Sequence, residues 1–329
     1  MLVLFTASLY VLNLFLACPV YLLFLYTIYK YRAEATFASA FYFFVFVCGI
    51  FDLLYTFNYY VLMYPAFLGI QVLNQIYLSL GSTVATALLY AFIYFRCAQT
   101  IAVLLISVNR FTSLVWPLQH DIIWSRRKIL SCTVGLLAVP GILLLAPVLN
   151  GCYMTYFPDP DDAGKVAHRD IDNVCVPGFV VHLIFPTFIV FLLAILYPVM
   201  LVTNCTYKSP LSSTDEQRQK HRINFSLAVA GLLLSCSMAL TSVLYWLFFM
   251  VYNFDNQLLM HLIMFSDSVF CISNPVLLLL FGKRIRPYFW LSCKSVLCIG
   301  GQERQQPAGR PNRWVELELE DLEHAQKSI

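Results

Sequence analysis

Residues 101–118, IAVLLISVNRFTSLVWPL, end a long apolar run with an arginine and place a Pro-Leu pair shortly beyond it. Arg110 stands at the end of that run, and Pro117 follows seven residues later. In a bilayer a guanidinium is tolerated where it reaches the headgroups or a polar interior. Arg110 therefore predicts where this segment meets water, and it marks a functional face of the protein.

The composition predicts an integral membrane protein. Hydrophobic residues make up 60% of the 329-residue chain and charged residues only 12%, and the mean hydropathy is +0.73. These values lie far from those of soluble domains. Aromatic residues reach 16%, which suits spans that are packed by rings and anchored at the two interfaces.

Seven apolar runs are long enough to cross a bilayer as helices, which needs about 20 residues. The predicted spans are residues 5–29, 37–62, 85–109, 129–149, 178–203, 224–250 and 258–281. The runs are continuously apolar, so helices are favoured over the alternating strands of a barrel. The predicted fold is an all-α, seven-transmembrane helix bundle.

Basic residues fall in every second connection. They are Lys30 and Arg32; Arg126, Arg127 and Lys128; Lys208, Arg218, Lys220 and Arg222; and Lys283, Arg284 and Arg286. The opposing connections carry only Lys165 and Arg169. The positive-inside rule then predicts an N-terminus outside and a C-terminus inside, which requires an odd number of spans.

We expect two regions along the chain. Residues 1–290 form the seven-span domain, which ends in a short membrane-surface helix, and residues 291–329 form a cytoplasmic tail. The tail is polar at first and then acidic with interspersed leucines. This composition predicts disorder, and a docking segment for a partner is the alternative.

Four of the eleven cysteines are candidates for chemistry. Cys152 and Cys175 both fall in the acidic outer loop between spans four and five, where a disulfide would hold that loop across the mouth of the bundle. Cys293 and Cys298 follow the last span and are candidate S-palmitoylation sites. Free thiols are the alternative in both cases.

Arg110 with Pro117-Leu118 resembles the Asp-Arg-Tyr element and the following Pro-Leu of rhodopsin-like G-protein-coupled receptors. Asn274-Pro275, near the inner end of span seven, resembles the Asn-Pro element of that family. Asn109 replaces the acidic residue of the family and Leu278 replaces its tyrosine, so the chain looks like a divergent branch. Residues 109–124, with Phe41-Tyr42 opening span two, resemble the nematode serpentine chemoreceptors of class gamma and the related class v.

The resemblance implies roles for these residues. Asn109, Arg110, Phe111, Pro117 and Leu118 would contact a heterotrimeric G protein, and Asn274 and Pro275 would act as a switch in span seven. Asn109 cannot form the charge-assisted lock that an acidic residue would form with the arginine. We therefore expect basal activity or a substitute restraint, for example Asp215 or Glu216.

Three charged residues lie within the predicted spans. Arg96 is 14 residues before Arg110, about 21 Å along a helix, and Asp52 and Asp267 lie at a similar distance from the inner ends of their own spans. In the arrangement that the resemblance implies, spans two, three and seven are neighbours, so we expect one polar cluster of Asp52, Arg96 and Asp267. The spare negative charge could hold a proton, a sodium ion or a cationic ligand, or the cluster could be purely structural.

Other residues are weaker candidates for ligand contacts. His182 and His261 lie near outer span ends, where a histidine is more often a hydrated polar tip. Aromatic residues could line an apolar pocket, although such rings usually serve packing; they are Tyr90, Phe92, Tyr94 and Tyr245.

The resemblance implies a chemoreceptor for an unknown small external ligand. No phosphate-binding loop, metal-ligand spacing or nucleophile motif is recognisable, so we expect no enzyme, cofactor, metal or nucleic-acid partner. An ion- or proton-coupled transporter is the alternative, because intramembrane charges also mark ion pathways. The expected location is the plasma membrane of a sensory cell, with the ciliary membrane as a variant of it.

Overall fold

The structure is a computed structural model that describes residues 15, 18–34, 37–63, 71–158, 166–170, 176–206, 215–251, 257–282 and 285–297. Most of these residues are helical. The helices are α1 (Cys18–Lys30), α2 (Ala40–Thr56), α3 (Gln71–Ser79), α4 (Gly81–Val115), α5 (His120–Ile123), α6 (Arg126–Leu149), α7 (Val176–Thr206), α8 (Asp215–Val251), α9 (Gln257–Phe281) and α10 (Ile285–Leu297). A π-helical segment, Phe57–Met63, continues α2, and the strands are β1 (Met154–Pro158) and β2 (Val166–Asp170).

The predicted spans coincide with these helices. Spans two to seven correspond to α2, α4, α6, α7, α8 and α9, while α1 covers the second half of span one and residues 5–14 of that span lie outside the described residues. Within the described ranges, five helical segments are long and apolar enough to cross a membrane, and α9 with α10 makes a sixth if that bent pair is counted as one. The architecture is the all-α bundle that the hydropathy predicts.

Helix α4 is at the centre of the bundle, where it packs against α2, α6, α7 and α8. Ala85, Ala98 and Ala102 are completely buried along it. Small side chains let membrane helices approach closely, and close packing is the main attraction between them in lipid. By contrast, α6 is mostly exposed on the outside of the bundle, as expected for a span that faces lipid on several sides.

The outer end of α6 is closed by a glycine. Gly151 has a φ of +66°, its N–H donates to Val148 O at 3.1 Å, and the Cys152 N–H donates to Pro147 O at 3.0 Å. This pair of bonds is the Schellman motif, which satisfies carbonyls that the helix end would leave without a donor. It turns the chain back toward α4, and the loop that follows begins there.

The loop after α6 contains an antiparallel hairpin that the sequence analysis did not predict. Its strands pair from Met154 with Asp170 to Pro158 with Val166. Thr86 of α4 holds it, because its hydroxyl accepts from the Met154 N–H at 2.9 Å and donates to Met154 O at 3.3 Å. Burial raises the pKa of Tyr156 to about 12, with Tyr77 adding to the effect, so this packed ring of the hairpin stays neutral.

The last helix leaves the bundle at an angle. The axes of α9 and α10 differ by 111°, and α10 packs against α1. Tyr288 of α10 lies 4.8 Å from Tyr31 and 5.1 Å from Phe37, measured between ring centroids, and Lys30 Nζ donates to Ser295 Oγ at 3.4 Å. A helix therefore lies where the basic and aromatic composition predicts a membrane-surface helix.

Gly231 of α8 provides a test of this packing. A Cβ on Gly231 would overlap the Tyr197 hydroxyl, which bonds Ser107 of α4 at 2.8 Å. Because Tyr197 is buried, we expect Gly231→Ala to destabilise the bundle by about 1–3 kcal/mol. Thermal unfolding of the detergent-purified protein measures this.

Gly135→Ala is the matched control. A Cβ on Gly135 has no atom within 4 Å, so this change should be neutral or stabilise the protein by up to about 1 kcal/mol. Adding Tyr197→Phe to Gly231→Ala should recover part of the loss, because it removes the clashing oxygen. Equal effects of the two alanines would contradict the close α7–α8 approach at Gly231.

Candidate functional site

A buried ion pair joins spans three and seven. Arg96 Nη1 of α4 lies 3.3 Å from Asp267 Oδ1 of α9, and the two side chains are 1% and 0% exposed. The guanidinium also lies over two rings, with its Cζ 4.7 Å from the Phe270 centroid and 5.8 Å from the Tyr55 centroid. Two opposite charges at this depth offset each other's cost of leaving water.

Two tyrosines support the Asp267 carboxylate. Tyr55 of α2 donates to Oδ2 at 3.0 Å, and Tyr245 of α8 donates to the same oxygen at 2.7 Å. One aspartate therefore connects spans two, three, six and seven. A second contact between spans six and seven lies close by, where the Thr241 and Ser266 hydroxyls are 2.7 Å apart.

Asp52 does not join the ion pair, which corrects the expected three-residue cluster. Gln99 Nε2 donates to Asp52 Oδ1 at 2.8 Å, and the Tyr21 hydroxyl donates to Oδ2. Asn274 Nδ2 donates to the Tyr21 hydroxyl at 3.3 Å. Asp52 thus belongs to a second polar layer, which connects spans one, two, three and seven.

The two layers are separated by about one helical turn. Gln99 follows Arg96 by three residues on α4, and Asn274 follows Asp267 by seven on α9, so the Asp52 layer lies nearer the inner side. The predicted heights were counted from helix ends and treated the spans as parallel, which cannot resolve a difference of about 5 Å. Gln99 also completes the Asp52 site as an uncharged partner, and a search for charges overlooks it.

The π-helical segment adds contacts above the ion pair that the sequence analysis missed. The Tyr60 hydroxyl bonds Ser268 of α9, and Asn58 Nδ2 donates to Leu88 O of α4 at 3.1 Å. A π-helical turn widens a helix and redirects its side chains, and such turns are frequent at functional sites. The sequence contains no proline or glycine at 57–63 that would have predicted it.

Arg110 lies at the inner end of the bundle against an aromatic ring. Its Cζ is 3.3 Å from the ring centroid of Phe41 on α2, and the side chain is buried. The neighbouring Asn109 is also buried. Asp215 and Glu216, the substitute restraints that the sequence suggests, have side chains outside the described part of the chain.

The segment after Arg110 is anchored by a short polar chain. Trp124 Nε1 donates to Thr112 Oγ1 at 2.7 Å, and this hydroxyl lies 3.1 Å from His120 Nδ1. These bonds hold α5 beneath α4. Between them the chain turns outward, so that Leu118 is 94% exposed.

Arg110 lines a cleft between spans two, three, six and seven. Its walls include Phe41 of α2, Leu234 of α8, and Asn274 and Leu278 of α9. Its open volume is about 20 Å³, which is roughly the space that one water molecule needs. The cleft is therefore narrow in this structure, and Asn274 connects it to the Asp52 layer.

The switch pair predicted in span seven lies at this junction. Asn274 is buried, and Pro275 lies within α9. A proline cannot donate to the carbonyl four residues earlier, so it weakens the helix at that point. Phe111, the remaining residue of the inner motif, packs edge-on against Trp116 at 5.5 Å between ring centroids.

The cysteine predictions have mixed outcomes. Cys152 is buried beside α4, where the Tyr90 hydroxyl donates to its carbonyl oxygen, and Cys175 lies outside the described residues. Cys293 is only 9% exposed and belongs to the packed core. An acyl chain needs an accessible sulfur, so this position argues against lipidation of Cys293; Cys298 lies outside the described residues.

The weaker candidates for ligand contacts lie in different surroundings. Tyr245 reaches the ion pair, whereas the Tyr94 hydroxyl donates to Leu137 O of α6 at 2.9 Å and serves helix packing. The side chains of His182 and His261 are outside the described part of the structure. Among the described residues, no group of three or more His, Cys, Asp or Glu is arranged to hold a metal ion.

Comparison with known families identifies the bundle. Residues 10–295 match the family model described as "Serpentine type 7TM GPCR chemoreceptor Srv". The match includes the inner motif at Arg110, both polar layers and the outer hairpin. Of the two nematode classes that the sequence resembles, class v is therefore the one that matches. No curated protein matches the chain.

The ion pair makes a prediction about stability. Asp267→Asn leaves a buried arginine without its counter-charge, so we expect a loss of about 3 kcal/mol or more. Arg96→Gln should cost less, because Tyr55 and Tyr245 still donate to the remaining carboxylate. Thermal unfolding and surface expression of the two variants measure the difference.

The double variant Arg96→Gln/Asp267→Asn should recover part of the loss, because it removes both charges. Arg32→Gln is the control, since Arg32 is exposed and lies over the Tyr29 ring at 4.2 Å; it should have little effect. Losses in the double variant that equal the sum of the single losses would show that the two charges do not stabilise each other.

Proposed function

Because this chain belongs to the Srv family of serpentine seven-transmembrane chemoreceptors, we propose that it binds a small external ligand and activates a heterotrimeric G protein. The observation that carries this proposal is the inner cleft. Arg110 lines it together with residues of spans six and seven, and Leu118 projects from the same end of the bundle.

The proposed orientation places this cleft in the cytoplasm. The basic connections Arg126-Arg127-Lys128 and Arg218 to Arg222 lie at the same end as Arg110, as the positive-inside rule requires of cytoplasmic loops. The N-terminus and the hairpin of β1 and β2 are then outside. The proposed site of action is the plasma membrane of a sensory cell.

In the proposed mechanism the G protein enters the cleft when span six moves outward. The cleft is too narrow to admit a protein segment in this structure, so its walls have to separate. Arg110, which Phe41 covers, is then uncovered and available to the partner. Leu118 adds an apolar contact, because an exposed side chain of this size gains most from being covered by a partner.

The two polar layers carry the signal from the ligand to the cleft. Asp267 binds Tyr245 of span six, and Asn274 joins the Asp52 layer to the cleft wall. A ligand that binds one arrangement of these bonds more tightly shifts the population toward that arrangement.

Phe41 restrains Arg110 at the narrow cleft, because its ring covers the guanidinium. We expect Phe41→Leu to raise the basal rate of nucleotide exchange, because a buried cation–π contact of about 2 kcal/mol corresponds to a factor of about 30 at most. The measurement uses the receptor in nanodiscs with a panel of G-protein heterotrimers that covers each α-subunit class, without ligand. Phe43→Leu is the control, since Phe43 is exposed on the same helix. A basal rate that does not change would show that Phe41 is only a packing residue.

Arg110 and Leu118 should be required for the activity that Phe41→Leu releases. In that background, Arg110→Ala should abolish exchange and Leu118→Ala should lower it about tenfold, corresponding to about 1.4 kcal/mol of lost contact. Leu130→Ala is the matched control, because Leu130 is 65% exposed on α6 and faces lipid. Exchange that survives Arg110→Ala would contradict the coupling role, and ligand uptake driven by a pH gradient would favour a transporter.

A further inference from the structure

Arg96 has more donors than partners. A guanidinium carries five N–H donors, yet among the described residues its single polar partner is Asp267, at 3.3 Å. That contact lacks hydrogen-bond geometry, since both Arg96 Nη1 and Asp267 Oδ1 are buried without a hydrogen bond. The guanidinium also lies over the faces of the Tyr55 and Phe270 rings. A buried guanidinium in this state gains from any oxyanion that offers it two parallel hydrogen bonds.

Asp267 has more hydrogen-bond partners than Arg96. Its Oδ2 accepts from both Tyr55 and Tyr245, so the carboxylate keeps two strong donors when the arginine turns away. A carboxylate can also take up a proton when its counter-charge is shared, whereas arginine keeps its charge. Giving Arg96 a new anionic partner is therefore less costly than giving Asp267 a new cationic partner.

We propose that Arg96 is the anchor for the ligand of this receptor, and that the ligand is an amphipathic organic acid whose carboxylate displaces Asp267. This inference rests on the receptor function proposed above and adds the chemical class of the ligand. A cationic ligand would have to separate Arg96 from its carboxylate and leave the guanidinium among rings. An acidic ligand gives Arg96 a new partner and leaves Asp267 Oδ2 with its two tyrosine donors.

The surroundings of Arg96 specify the rest of the ligand. Above it lie rings from spans two and three: the Phe92 centroid is 5.1 Å from that of Tyr55 and 5.4 Å from that of Tyr59. Thr86, where the outer hairpin is bonded to α4, lies ten residues further out, which is about 15 Å along the helix. We therefore expect a carboxylate that carries an apolar or aromatic body, which would lie against these rings and extend toward the hairpin.

Displacement of Asp267 also accounts for signalling. Once Arg96 binds the ligand, Asp267 is held by the two tyrosines alone, and one of them, Tyr245, belongs to span six. Spans six and seven remain bonded to each other, but the ion pair that joined span seven to span three is broken. Spans six and seven are then no longer tied to span three by this charge pair, and the inner cleft below them can widen.

The test uses three probes with one aromatic body: 4-phenylbutyrate, 4-phenylbutyramide and 4-phenylbutylamine. Full-length receptor in nanodiscs is unfolded thermally at increasing probe concentration, which gives an apparent Kd because binding to the folded state raises the melting temperature. 4-Phenylbutyrate should raise the melting temperature of the wild type up to a saturating value. 4-Phenylbutyramide and 4-phenylbutylamine should not raise it. No G protein is present, so a failure here leaves the coupling prediction for Arg110 untouched.

Two variants give opposite expected shifts. Asp267→Asn removes the competing carboxylate and should lower the apparent Kd for the butyrate about tenfold, whereas Arg96→Gln should raise it at least tenfold. Arg96→Lys keeps the charge without the fork and should fall between wild type and Arg96→Gln. The charge-free double variant Arg96→Gln/Asp267→Asn is the folded control without a site.

Several results would overturn the proposal. One is stabilisation by the amine that exceeds stabilisation by the butyrate, which would indicate a cationic ligand at Asp267. Another is an equal effect of the butyrate on the wild type and on the double variant. Absence of butyrate binding to both the wild type and Asp267→Asn would show that the ion pair only holds the helices together.

Discussion

A completely buried arginine requires an anion within reach, and Asp267 on span seven supplies it to Arg96 on span three. The cost of leaving this charge unpaired inside a bilayer fixes the relative position of the two helices. Tyr55 and Tyr245 bind the same aspartate, so the positions of spans two and six depend on it as well. Arg96 Nη1 and Asp267 Oδ1 attract each other without forming a hydrogen bond. The positions of four spans nevertheless depend on this pair.

Asp52 and its partners form a second polar layer, which is distinct from the ion pair of Arg96 and Asp267. Asp52 is held by Gln99 and Tyr21, and Asn274 reaches that layer from the wall of the inner cleft. In the proposed mechanism a ligand rearranges the charges of the upper layer, and the neutral donors of the lower layer transmit the rearrangement. Pro275, directly after Asn274, weakens α9 beside the point where the Asp52 layer meets the inner cleft.

The inner face shows how one substitution is accommodated. Receptors that this chain resembles have an acidic residue before the arginine, and here Asn109 removes that lock. Phe41 covers the guanidinium, and a ring is a weaker and less directional partner than a carboxylate. The exposed Leu118 and the anchored α5 lie at the same end of the bundle as this narrow cleft.

The sequence by itself determined the membrane class, the helical spans, the motif at Arg110 and the presence of intramembrane charges, because apolar length and charge placement follow from the properties of lipid. It also predicted that Arg96 and Asp267 lie at one height, and the structure places them in contact. It could not separate Asp52 from them, since a difference of one helical turn depends on how tilted helices pack. The roles of Gln99, Tyr245 and Phe41, the π-helical turn and the hairpin were decided only by the tertiary structure. Neutral polar and aromatic residues are common throughout this chain, and only their neighbours in space distinguish a partner of a buried charge from a packing residue.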